Sequence, residues 1–191
     1  MRAYRIRGII GVAGVAVLLS ACARPEPAAQ ASSPVERGRY LVGFGGCNDC
    51  HTPKVMTAQG PALDTTRLLS GHPATAPVPT IPQGALGLGG WMALTNEHLT
   101  AWAGPWGVSF AANLTPASNG LSGWTDSLFI ATMRTGKHLG NGRALLPPMP
   151  WFSLDVLTDD DLRAVFAFLQ SLPPVDNAVP APMPPVGPAL P

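Results

Sequence analysis

Cys47-Asn48-Asp49-Cys50-His51 is the stretch whose reading decides this chain. Two cysteines separated by two residues and followed at once by histidine form the attachment pattern of a c-type haem. The chemistry explains the spacing. Each thiol adds to one vinyl group of the same porphyrin, so the two sulfurs must be held a short, fixed distance apart. The adjacent histidine then swings its imidazole under the iron as the proximal ligand. Two other uses of a C-x-x-C pair fit less well. A zinc site needs two more ligands at similar spacing, and the sequence has no second cysteine pair. A redox dithiol expects a βαβ setting, whereas the residues ahead of Cys47 read as helix.

Working outward to the N-terminus, Arg2, Arg5 and Arg7 precede an apolar run of eleven residues, Ile9 to Leu19. That run suits a secretory signal and is too short to span a bilayer. Leu19-Ser20-Ala21-Cys22 resembles a bacterial lipoprotein box, which implies cleavage before Cys22 and lipidation of its sulfur. Alanine at position 23 then favours the outer membrane. The three cysteines are accounted for, Cys22 by lipid and Cys47 and Cys50 by haem, so none remains for a disulfide. Covalent haem attachment in bacteria follows export, and the N-terminus signals export. The expected location is the periplasmic side of a bacterial membrane, lipid-anchored.

Without residues 1–21 the chain keeps nine of its twelve Lys and Arg against eleven Asp and Glu, a small negative balance. That excludes the basic footprint of a nucleic-acid binder. Four segments are expected: a signal peptide over 1–21, a flexible Ala/Pro tether over 22–33, one folded domain over 34–174, and a Pro-rich tail over 175–191. From Pro173 to Pro191 eight of nineteen residues are proline, which forbids helix and suits an extended strap over the domain surface.

Within the domain the helix signals are strong. Ser33-Pro34-Val35-Glu36 is a capping box with proline at the first helical position, so a helix starts there and runs toward Phe44. Glycines 43, 45 and 46 stop it ahead of Cys47. Thr158 caps another, with Asp159, Asp160 and Asp161 against the positive end of its dipole. Its apolar positions Leu162, Val165, Phe166, Leu169 and Leu172 keep the helical period, and Pro173-Pro174 ends it. A third helix is expected from Trp124 to Thr135, capped by Thr125 or Asp126 and closed by Gly136, and a shorter one from Asn96 to Trp102. No stretch alternates as a strand, so the expected class is all-α. The middle, Thr52 to Pro116, reads as long loops that can pack on a porphyrin.

This order of helix, C-x-x-C-H, wrapping loops, methionine loop and final helix resembles a class I cytochrome c with a single haem. The resemblance covers the whole folded unit and implies contact between the first and last helices, through Gly38 and Phe168 or Phe166. The phrases Gly38-Arg39-Tyr40-Leu41, Gly46 to Pro53, Asn113-Leu114-Thr115-Pro116, Arg134 to His138 and Pro147-Pro148-Met149-Pro150-Trp151 are similar to haem domains in cytochrome subunits of bacterial membrane-bound dehydrogenases. Those subunits usually carry several such domains, whereas this chain has one motif.

The resemblance implies Met149 as the second axial ligand opposite His51. It also implies Pro61 as the source of the carbonyl that orients the His51 ring, and Asn113, Trp124, Arg134 and Arg143 as haem contacts. Met133 reads as core instead. His72, His98 and His138 read as surface or propionate-contacting residues, with bis-histidine ligation a lesser alternative. The implied function is electron transfer with no acid–base or nucleophilic step, so the chain is not itself an enzyme. It would take electrons from a dehydrogenase and pass them to another cytochrome or an oxidase. The alternative is a ligand-binding or sensing haem protein with an open or labile sixth site.

Overall fold

The structure, a computed structural model, describes residues 32–87 and 89–185. The expected signal peptide, Cys22, the tether up to residue 31 and the last six residues of the tail lie outside the described residues.

Helix α1 spans Pro34–Phe44 and starts as the sequence dictates. The Ser33 hydroxyl accepts from the Glu36 N–H, and the Glu36 carboxylate accepts from the Ser33 N–H. Helix α2 is the short turn Cys47–His51, and Gly46 between the two takes φ +66°, the left-handed region that favours glycine. Helix α3 spans Asp126–Thr135, capped by the Thr125 hydroxyl and closed by Gly136 at φ +64°. Helix α4 spans Asp159–Gln170 behind a Thr158/Asp161 capping box.

Helices α1 and α4 cross in close contact, and α3 packs beside α4. Their apolar faces share one core with Leu69 and Leu121: Leu41 and Val42 from α1, Phe129 and Met133 from α3, and Leu162, Val165, Phe166, Phe168 and Leu169 from α4. The crossing depends on Gly38, where a Cβ would stand 1.9 Å from the Ala164 carbonyl oxygen and 2.8 Å from Phe168 Cβ. Among the described residues no helix is long and apolar enough to cross a membrane.

The all-α expectation is overturned. Between α2 and α3 lie two small antiparallel sheets. Strands β1 (Lys54–Thr57) and β2 (Gly60–Leu63) form a hairpin with Lys54 opposite Leu63. Strands β3 (Leu94–Thr95), β4 (Ala101–Gly104) and β5 (Gly107–Phe110) form the second sheet. The helix expected over Asn96 to Trp102 is therefore a turn over residues 96–100 followed by the start of β4. Asn96 organises it, its side-chain oxygen accepting from the N–H groups of Thr100 and Ala101. Strands of two to four residues are shorter than the alternation that marks a strand in sequence. Short 3₁₀ turns fill Thr65–Arg67, His138–Gly140 and Trp151–Val156.

The tail is hydrogen-bonded to the body. Asn177 donates to the carbonyls of Ser70 and His72 and accepts from the Ala74 N–H. Farther along, Met183 exchanges two backbone bonds of 2.9 Å with Val108 on the free edge of β5. Gly107 permits that approach, since a Cβ there would lie 2.1 Å from the Met183 carbonyl oxygen.

Candidate haem site

Helix α2 carries both cysteines and the histidine. Cys47 and Cys50 are three residues apart on one helical turn and therefore share a face. Both are free thiols, and burial pushes both pKa values up, which keeps them protonated. Among the described residues no group of three or more His, Cys, Asp or Glu side chains could hold a metal ion, so the zinc alternative has no partners here.

The His51 ring is fixed by one bond. Its Nδ1–H donates to the Ala112 carbonyl at 2.8 Å, because a carbonyl can only accept. Nε2 is then the lone-pair nitrogen of the neutral ring. Burial lowers the pKa of His51, which favours that neutral, ligating form. Ala112 thus takes the role expected of Pro61. Pro61 sits instead on β2, opposite Met56 in the hairpin, and the carbonyl that His51 meets is that of Ala112.

The segment behind the ring is held from several sides. The Gly71 N–H donates to the His51 carbonyl, the His72 N–H to Ala111, and the Leu114 N–H to Leu69. Thr52, fully buried, donates through its hydroxyl to Asn48 Oδ1 and accepts from the Leu69 N–H at 2.8 Å. These bonds hold Leu69 at φ +56°, an uncommon conformation for a buried leucine. Two unpaired thiols on one face and an imidazole with its far nitrogen tied back are the donor set that a covalently attached haem requires. The residues fit the group.

No protein-family model matches the chain. Individual relatives do. The chain is 30% identical over 150 residues to the gluconate 2-dehydrogenase cytochrome c subunit of Pantoea cypripedii, covering 77% of this chain and 28% of that protein. It is 29% identical over 154 residues to the alcohol dehydrogenase (quinone) cytochrome c subunit of Gluconacetobacter polyoxogenes, covering 78% and 26%. It is 28% identical over 158 residues to a nicotinate dehydrogenase subunit of Pseudomonas putida, covering 82% of this chain and 10% of that protein. These relatives support a cytochrome c-like chain. The chain spans little more than a quarter, at most, of the lengths of these relatives.

The methionines sort by exposure. Met56 and Met92 are 67% and 74% exposed, and Met133 is part of the helical core. Met149 is half-buried and packs on the same core that Cys47 borders. The turn that follows it is held by Arg134, which donates to the carbonyls of Leu154 and Leu157 and pairs with Asp159 at 2.8 Å. Ser109 also donates to the Pro147 carbonyl.

The expected haem contacts are differently employed. Arg134 is spent on that framework. Asn113 is buried, and its amide donates to Asn119 and to the Val175 carbonyl while its oxygen accepts from Thr115. Trp124 lies edge-on to His138 at 5.2 Å and packs on the core. Arg143 is exposed and donates to the neighbouring Ala144 carbonyl.

His72 departs most from expectation: it is fully buried, bonded through Nδ1 to Thr100 Oγ1, and its ring lies tilted against Phe110 at 4.8 Å. His98 donates from Nδ1 to the Lys54 carbonyl. The residues that sequence reasoning passed over are Ala112, Thr52 and Lys54. Ala112 acts through its backbone and carries no side-chain signal. Its neighbours in Asn113-Leu114-Thr115-Pro116 are the nearest pointer.

Proposed function

We propose that this chain is a mono-haem, membrane-anchored cytochrome c that accepts electrons from a dehydrogenase and passes them to the respiratory chain. The observation that carries the reading is the His51 Nδ1 to Ala112 carbonyl bond beside two free thiols on one helical turn. The relatives, being cytochrome c subunits of dehydrogenases, support electron transfer in general and a carrier subunit rather than a catalytic one.

When bound, the haem supplies a one-electron ferric/ferrous couple. Cys47 and Cys50 would hold it through their sulfurs, and His51 would offer it Nε2. Ala112 fixes the ring plane and the tautomer, which sets ligand basicity. Met149 would be the second protein ligand to the iron. Prolines at 147, 148 and 150 stiffen its segment, which limits the reorganisation that accompanies a change of iron charge. No side chain is asked to move a proton.

Export and anchoring rest on the sequence: Arg2, Arg5 and Arg7, the apolar run from Ile9, and Cys22 as the lipidated residue at the periplasmic face, the outer membrane being favoured. A lipid there raises the effective concentration near membrane-bound partners. Two assays on protein expressed with its leader test the reading. Denaturing gels and a pyridine haemochrome spectrum are expected to show one covalent haem per chain, absent in Cys47→Ala/Cys50→Ala. Labelled fatty acid is expected to enter the wild type and not Cys22→Ala. A chain without covalent haem contradicts the proposal.

A further inference from the structure

Lys54 is the one lysine that is buried among the described residues, 8% exposed, and it lies against the haem-bearing turn. Its Nζ donates to the carbonyls of Thr52 at 2.6 Å, Asp49 at 2.8 Å and Asn48 at 3.3 Å. Two of those carbonyls belong to α2 itself: Asn48 also accepts from the Thr52 N–H, whereas Asp49 has no i+4 donor because residue 53 is proline. The backbone of Lys54 is fixed as well, in register with Leu63 and accepting from His98 Nδ1 at 2.8 Å.

We infer that Lys54 is a positioning residue that tunes the redox couple: its ammonium, locked onto the C-x-x-C-H turn, holds a positive charge beside the haem and favours the reduced state. The inference rests on the haem reading above. An ammonium has three N–H donors, and three carbonyls take them. A neutral amine has two, and its lone pair would face a carbonyl oxygen, so the geometry selects the charged form. Burial pulls the lysine pKa down, while the neighbouring Asp49 pushes it back up. The Asp49 carboxylate is on an exposed residue and meets more water than the ammonium, which belongs to a residue only 8% exposed. A fixed charge in a poorly solvated site acts at low effective dielectric. Adding one electron from an external donor lowers the charge at the iron, so the reduced form is stabilised relative to the oxidised one.

The same contacts also suit a purely structural cap, and the reduction potential separates the two roles. Purified holoprotein is titrated spectroelectrochemically as wild type, Lys54→Gln, Lys54→Met and Lys54→Arg, with melting curves on each. Both neutral variants are expected to shift the equilibrium with a mediator about tenfold toward the oxidised form, ~59 mV for one electron, while Lys54→Arg stays near the wild-type value. If either neutral variant loses haem, the other carries the test. If both do, the Lys54→Arg potential decides, and a fall of the same size overturns the inference. Neutral variants that melt at lower temperature but keep the wild-type potential also overturn it and leave Lys54 as a structural cap. A wild-type protein that carries no covalent haem overturns the functional reading instead.

Discussion

Gly38 and Ala164 meet with no room for a side chain between them. A Cβ on Gly38 would lie 1.9 Å from the Ala164 carbonyl oxygen and 2.5 Å from its carbon. Backbone cannot give way as a flexible side chain can, so the α1–α4 crossing would have to open. Gly38→Ala is therefore expected to destabilise the fold by about 3 kcal/mol, at the upper end of overpacking costs. Chemical denaturation of the holoprotein measures it. A variant as stable as wild type would mean that the two helices do not pack this closely.

Arg37 and Asp161 lock the same crossing from its rim. The guanidinium reaches Asp161 Oδ1 at 2.8 Å, and Asp161 also completes the α4 capping box with Thr158. The Arg37 hydrogen bond, foremost, holds the Asp161 carboxyl below the usual carboxylate range. A depressed native pKa contributes stability above the unfolded value, near pH 4, and loses it as pH falls through the native value. Asp161→Asn is expected to cost about 1 kcal/mol at neutral pH and to flatten the loss of stability below about pH 4. Melting temperatures from pH 2 to 7 check both; parallel curves for the two proteins would contradict the assignment.

Asn177 ties the proline-rich tail to the segment behind His51. It donates to Ser70 and His72 at 2.7 and 2.8 Å and accepts from Ala74 at 2.9 Å. Asn177→Ala removes all three bonds, an expected cost of about 2 kcal/mol. It should also expose the tail to limited proteolysis well before the body is cut. Equal protease resistance in variant and wild type would show that the strap is held elsewhere.

The helices were legible in the sequence because their ends are written in side chains. Ser33 with Glu36, Thr125, Thr158 with Asp161, and Gly136 all stand where their chemistry places them. The helix crossing was implied by the family resemblance, through Gly38 and Phe168 or Phe166, and Gly38 does pack against Phe168. The sheets were not, because β3 has two residues and the others four, too few to display a period. The hairpin turns at Ala58-Gln59 and Pro105-Trp106 carry the stronger signal, each with glycine beside it. At the site, Cys47, Cys50 and His51 announce themselves by spacing, whereas Ala112 contributes a carbonyl that any residue has. Lys54 looks like a surface charge until its three carbonyl partners are seen. Arg134 and Asn113 hold the frame of the site, a use that the motif phrases alone do not distinguish from haem contact.

Carbon monoxide, which binds reduced haem iron only where a ligand position is free, tests whether Met149 would act as the second protein ligand of an electron carrier. The visible spectrum of the reduced holoprotein is recorded with and without the gas, beside Met149→Ala. The wild-type spectrum is expected to stay unchanged on adding carbon monoxide, and the variant is expected to bind it. Ready binding by the wild type would show that Met149 does not hold the iron and would turn the site toward ligand binding.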